Sequence, residues 1–331
     1  MTFHDKAKLE RLFSTFADNF RITRLYSDYL SIFPEIITKE MVNSLINDGI
    51  ETTYALSAIL SEVFALNTDT SEDDKRIFRN YIIPSIRLLD AKKYTENPYY
   101  KNIKLPDVKL GSWEFKNEAY EPYRAVICDD IILNDDFSEI PPLGFFDERF
   151  EFPAVLEDGN EWMTLTPVDL DTSEDAIRLS RGKVVTFGLG LGYFAYMASE
   201  KNEVESVTVV EKSEKVIELF KQYVLPQFAH PEKINIVNCD AFEYAEKNMP
   251  DENFTFAFVD TWRDASDGAP MYEKMKALEH LSPSTEFSYW IENFLISNIR
   301  ARKLVEIREK YYSDSLDVSY TDVVKSLKQI P

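Results

Sequence analysis

Three glycines in five residues, Gly188-Leu-Gly190-Leu-Gly192, stand between an apolar run, Val184-Val-Thr-Phe187, and a helical pattern over about 191–200. No other feature of this 331-residue chain restricts its fold as much. The chain holds nine glycines, and four of them fall within 182–192. A strand that ends in a glycine-rich turn and restarts as a helix is how an open α/β sheet brings its backbone close to a ligand. A Cβ in such a turn would block the approach. The N–H groups at the helix start face whatever binds.

The pattern around the turn agrees with this reading. A helix is expected over 169–181, closed by Gly182. Apolar strand patterns follow at 184–187, 207–211, 234–237, 254–260 and 287–291. Helical patterns separate them at 213–224, 241–248 and 270–281, and a long one runs on to about 312. Apolar strands alternating with helices predict a parallel sheet covered on both faces. The expected fold class is therefore α/β, a Rossmann-like domain over 167–312. The strand order should switch between the first and fourth strands, with the site above their C-terminal ends.

Before it, residues 1–110 read as a helical domain. Leu9, Leu12, Phe13, Phe16, Ala17 and Phe20 recur at helical spacing. A short helix near 39–48 ends at Gly49, another covers 52–66, and Ser71 with Asp74 marks a further start that Pro84 kinks. Residues 94–122, punctuated by Pro98, Pro106, Gly111 and Pro122, read as a linker or irregular segment. Residues 111–166 form a small β region, too small to hold a core alone. Residues 313–331 are a tail, read as helical.

The ends of the strands carry the chemistry. A dinucleotide fingerprint, G-x-G-x-x-G, would need a third glycine at position 193, which is Tyr193. G-x-G-x-G is instead the spacing of S-adenosyl-L-methionine (SAM) sites. Glu211 ends the second strand, where an acidic residue can accept both hydroxyls of a ribose. Asp240 follows the third strand, where adenine is usually contacted. Asp260-Thr261-Trp262 follows the fourth, where reacting groups gather.

Over about 184–291 the chain resembles the class I SAM-dependent methyltransferases. By that resemblance Gly188, Gly190 and Gly192 would flank the amino acid part of SAM. Glu211 would hold the ribose, Asp240 the adenine, and Asp260 the region of the sulfonium or the acceptor. A narrower resemblance is to spermidine synthases. Those put a small β domain before the sheet and then a Leu-Thr-x-x-Asp segment entering a helix, which Asp158-Gly159 and Leu165-Thr-Pro-Val-Asp169 match. The chain departs from them twice. The glycine turn lacks the acidic residue of G-G-G-D-G, and Asp260-Thr-Trp-Arg263 stands in place of Asp-Ser-Thr-Asp, with Asp264 one position later. No sixth and seventh strands are legible after the fifth.

Composition narrows the partners. Lys plus Arg is 37 against 58 Asp plus Glu, a net charge of −21. That balance argues against nucleic acid, which needs basic surface to replace counterions, and suits a small, cationic substrate. Two cysteines and three scattered histidines provide no structural metal set, so no metal is expected. No apolar run is long enough for a membrane span, and no signal sequence is legible, so the cytoplasm is the expected compartment. The aromatics of the first third can serve as core or as the face of a homodimer.

The expected function is SAM-dependent methyl transfer to a small molecule. The alternatives are a spermidine-synthase-like aminopropyl transfer from decarboxylated SAM, and a non-catalytic SAM-binding protein. Asp260 is the first candidate for accepting a proton and Asp264 the second. Tyr193, Trp262, Thr166 and Asp169 are candidates for substrate contact. The same residues have plainer readings: Tyr193 and Trp262 as core, Thr166 with Asp169 as a capping pair, and Asp240 as a helix N-cap.

Overall fold

The structure is a computed structural model that describes residues 3–106, 108–262, 265–313 and 319–330. The chain divides into two compact units. One comprises Met1–Leu89, Tyr120–Arg149 and Asn293–Pro331, the other Asp90–Ala119 and Phe150–Glu292. This division cuts across the sequential order expected from the sequence. The 111–166 region is shared between the units, and the chain from Asn293 onward belongs with the N-terminal helices rather than with the sheet.

The second unit is built on five parallel strands, numbered here in chain order: β1 (Gly182–Phe187), β2 (Val204–Glu211), β3 (Ile234–Asn238), β4 (Phe256–Val259) and β5 (Glu286–Tyr289). Their order is β3-β2-β1-β4-β5. β1 pairs on one side with β2, Val184 opposite Val207, and on the other with β4, Val184 opposite Phe256. Val184, Val185, Phe187, Val207, Val209, Phe256 and Val259 are wholly buried, as strands with both faces covered must be. Successive strands are laid down outward in one direction from β1 to β3 and in the other from β4 to β5, so a crevice opens beyond the C-terminal ends of β1 and β4.

One helix of this unit is closed by a lysine from the segment after the next helix. Pro167–Leu179 ends where Lys201 Nζ donates to the carbonyls of Ile177, Arg178 and Ser180, each at 2.7 Å. A cation there answers the orphan carbonyls and the negative end of the helix dipole.

The same unit carries a four-stranded sheet, ordered Val108–Leu110, Trp113–Tyr120, Phe150–Glu157, Asn160–Thr164, whose first and last pairs are antiparallel. Asp158 and Gly159, both at positive φ, make the tight turn between the last two strands. The segment 94–122 is structured rather than a linker. Pro98 is the first residue of a helix, Pro98–Asn102, capped by the Asn97 side chain. A proline loses no hydrogen bond at that position, so it starts a helix there instead of breaking one.

In the first unit, helices run over Phe3–Ile32, Lys39–Ile46, Thr52–Val63 and Glu72–Ile77. The kink expected at Pro84 is taken up by a π-helical turn over Phe78–Ile82. The core gathers Ile22, Tyr26, Leu56, Leu60, Ile77 and Ile82 with Leu143 and Phe145 from a short sheet. The helix Glu292–Tyr312 is tied into this unit at its start. Asp130 accepts hydrogen bonds from the backbone N–H groups of Asn293 (2.9 Å) and Phe294 (3.0 Å). Ser297 Oγ donates to the buried Glu139 at 2.7 Å. These ties, absent from any local pattern, are why the chain leaves the sheet at Asn293. Among the described residues no helix is long and apolar enough to cross a membrane.

Candidate functional site

The glycine turn lies beyond β1, as its spacing predicts, and all three glycines have positive φ. Gly188 is obligatory for packing. A Cβ there would overlap the carbonyl oxygen of Asp260, which passes directly beside it. At Gly190 the occupied space belongs to the Sδ and Cε atoms of Met163. Gly192, the N-cap of Tyr193–Ser199, lies under the Phe220 ring.

Glu211 closes β2 and is buried, at 8% exposure. Its Oε2 accepts the N–H of Leu189 at 3.1 Å, and its Oε1 accepts that of Ser213 at 2.7 Å. One carboxylate therefore pins the glycine turn to the start of the next helix. Each oxygen has a further lone pair for a ligand.

Asp260 follows β4 and borders a cavity of about 30 Å³, with Asp169, Ser173, Thr186, Tyr193, Met163 and Trp290 also on its wall. No hydrogen bond reaches the Asp260 carboxyl among the described residues. Burial pushes it up to about 8, and the negative charges of Asp169 and Glu211 add to the rise. Asp169 is also raised, to about 6, chiefly by burial, with hydrogen bonds from Thr166 opposing the rise. The negative charges of Asp169 and Glu211 thus reach the Asp260 carboxyl, and none of the three is in an ion pair among the described residues. No group of three or more His, Cys, Asp or Glu among those residues is disposed to hold a metal ion.

The two residues after Asp260 carry further unanswered polar groups. Thr261 Oγ1 and Trp262 Nε1 are buried with no hydrogen-bond partner among the described residues. Buried orphan groups are rare in native proteins, so two at one strand end call for an explanation. Trp262 itself is 5% exposed and stacks on Tyr289 at 6.3 Å. Asp264 lies outside the described residues.

The remaining candidates have structural partners. Thr166 and Asp169 form a capping box: Thr166 N and Oγ1 donate to Asp169 Oδ2 at 2.8 and 2.9 Å. Even so, Asp169 is on the cavity wall. Asp240 is the N-cap of Ala241–Lys247, its Oδ1 accepting from Phe242 N and Glu243 N at 2.9 and 3.1 Å, and it faces solvent. Tyr193 is buried and on the same wall as Asp260. Its hydroxyl accepts from Asn97 Nδ2 at 3.0 Å, and burial raises it to about 12.

The structure therefore brings Gly188, Tyr193, Asp169 and Asp260 onto one cavity and leaves Asp240 on the surface. Reading the sequence missed Met163, Ser173, Thr186 and Trp290 on that wall, and Tyr99, whose hydroxyl donates to Leu191 O in the turn at 2.6 Å. Thr186, one residue from the end of β1, was within reach of strand periodicity. Met163 and Tyr99 were not, because their contacts come from segments far along the chain.

No protein-family model and no curated protein sequence matches the chain. Among solved structures it is similar to the crystal structure of spermidine synthase from Thermotoga maritima. The identity is 16%, with 48% of this chain and 60% of that chain covered, and the TM-score is 0.32. It is similar also to spermidine synthase in complex with the transition-state analogue AdoDATO, at 16% identity, 48% and 59% coverage, and a TM-score of 0.31. The chain thus spans about three-fifths of the length of these structures.

Proposed function

We propose that the second unit takes an adenosyl sulfonium beyond β1 and β4 and transfers one of its alkyl groups to a small cationic acceptor. The observation that carries this reading is the pair of carboxyls Asp169 and Asp260 on one cavity wall beside the glycine turn, within reach of the charge of Glu211 and with no cation among the described residues set against them. The residues present fit such a ligand in kind. Glu211 offers two acceptor oxygens at the end of β2, and Thr261, Trp262 and Asp260 hold polar groups without partners.

Two donors suit this chemistry. SAM would give a methyl group, the reading to which the G-x-G-x-G spacing leads. Decarboxylated SAM would give an aminopropyl group. These carboxyls favour the second, because SAM carries a carboxylate of its own into a site already rich in negative charge. Decarboxylated SAM and an amine acceptor bring only positive charge.

Such a sulfonium, when bound, supplies an electrophilic carbon and a neutral thioether leaving group. The protein's part is position and proton handling. Glu211 would hold the ribose while keeping the turn in place. Asp260, balanced near neutrality at about 8, can take the proton an acceptor amine must lose. A cation in the cavity would favour its charged form and so ready it for that role.

The test is to incubate the protein with SAM or decarboxylated SAM, each with putrescine and with a pool of small amines, and to follow the two thioether products by mass spectrometry. 5′-Methylthioadenosine formed from decarboxylated SAM supports aminopropyl transfer. S-adenosylhomocysteine formed from SAM supports methyl transfer. Binding without either product would leave a non-catalytic binding protein, and no binding of either donor would remove the proposal.

A further inference from the structure

Met163 fills the space over Gly190, and the strand that carries it is irregular there. In the pairing of Phe150–Glu157 with Asn160–Thr164, Val155 faces Met163 and Leu156 faces Glu161. Trp162 is therefore an extra, unpaired residue, a β-bulge. In a regular strand, neighbours 162 and 163 would point to opposite faces. A bulge re-aims side chains, and bulges are frequent beside functional sites. Here Met163 lies on Gly190 and borders the Asp260 cavity, while Trp162 shares a second, apolar cavity with Gly190, Leu191 and Phe220. Both bulge residues are thereby turned onto the glycine turn.

The space left is small. The Asp260 cavity measures about 30 Å³ and its neighbour about 10 Å³. The larger accommodates about two or three waters, short of a nucleoside. What stands in the way is the far end of an unbranched side chain with three rotatable bonds, the most adaptable of the apolar residues.

We infer that Met163 is a displaceable plug: its thioether holds the ligand space over Gly190 closed, and a ligand enters by driving it and the 150–164 hairpin off the turn. This inference rests on the adenosyl reading above. The closed form lowers the apparent affinity of any ligand by the fraction of molecules that are open. Trp162 lies edge-on to Trp113 with ring centroids 5.2 Å apart, so displacement of the hairpin changes an indole environment.

The experiment compares the wild type with Met163→Ala, which removes the plug, and Met163→Leu, which keeps an apolar side chain of similar volume. Thermal melts establish that each variant folds. Each protein is titrated with 5′-methylthioadenosine and with S-adenosylhomocysteine by calorimetry and tryptophan fluorescence. Hydrogen exchange of the peptide spanning 188–192 is measured without ligand. The expected result is tighter binding in Met163→Ala by about tenfold or more, with faster exchange at the turn and a smaller fluorescence change on binding. Met163→Leu should bind within about twofold of the wild type. Equal or weaker binding in Met163→Ala, with unchanged exchange at the turn, overturns the plug. If no protein binds either nucleoside while Met163→Ala speeds exchange at the turn, the adenosyl reading falls and Met163 remains a cover over the turn. Should Met163→Ala not fold, Met163→Thr, a smaller loss of volume, takes its place in the same measurements.

Discussion

Replacing Asp260 by Asn removes a charge without changing the shape of the side chain. In the folded protein burial, with Asp169 and Glu211 nearby, raises the Asp260 carboxyl from 3.8 to about 8. The unfolded chain returns it to its ordinary value. A raised carboxyl favours the folded state only while it is protonated. Its full contribution is present below about 4 and is lost as pH climbs toward about 8. The loss runs at about 1.4 kcal/mol per pH unit in that window, with a ceiling of about 4 kcal/mol at pH 7. Water in the cavity, and proton sharing with Asp169, bring the working figure to about 2–3 kcal/mol. Asn carries no such penalty. Urea unfolding of both proteins from pH 4.5 to 8, read by fluorescence because Trp290 borders the same cavity, should show the variant gaining on the wild type as pH rises. The difference should be smallest at pH 4.5, where about 1 kcal/mol of the loss is already present. The variant should also lose transfer activity with either sulfonium, the pattern of a site that holds a destabilising group for function. A stability difference that stays flat across this pH range would refute the placement of a raised carboxyl at Asp260.

Glu211→Ala should weaken binding of 5′-methylthioadenosine and S-adenosylhomocysteine together by about 10–1000-fold, given about 1.5–3 kcal/mol for each hydrogen bond to a charged group. Loss for only one of the two in calorimetry would mean that Glu211 acts through something other than their common ribose. Gly188→Ala should lower the melting temperature far more than Gly190→Ala, because the first Cβ meets the backbone of Asp260 and the second only the movable end of Met163. Similar melting temperatures would contradict that contrast. Asp130→Ala removes the cap from the helix Glu292–Tyr312 and should destabilise the first unit by about 1–2 kcal/mol in urea at pH 7. Glu139→Gln should stabilise the same unit more at pH 8 than at pH 4, since burial raises the Glu139 carboxyl and its Oε1 has no partner among the described residues. An unchanged difference between those pH values would count against a buried charge there.

The parallel sheet, the glycine turn and the acidic residues at the strand ends were legible from the residues alone. These features rest on contacts close along the chain. Apolar runs such as Val184–Phe187 are strands because both faces are buried, and the glycines follow directly because the turn needs positive φ there. Glu211 was legible as the residue that ends β2, although its grip on Leu189 N and Ser213 N was not. Local chemistry also produced the capping box of Thr166 with Asp169 and the N-cap at Asp240.

The rest follows from contacts made between distant segments on folding. Pro98 reads as a breaker until its helix is seen to start there. The helix from Glu292 looks like the continuation of the sheet domain until Asp130, more than 160 residues earlier in sequence, is seen to cap it. Met163 looks like any residue of a short strand, because a β-bulge is a relation between two strands and leaves no mark on either alone. The unusual state of Asp260 arises in the same way, from burial beside Asp169 and Glu211, which only the folded chain brings together. Periodicity reports what each residue needs from its near neighbours. The position of Met163 over Gly190 and the state of the Asp260 carboxyl depend on distant ones.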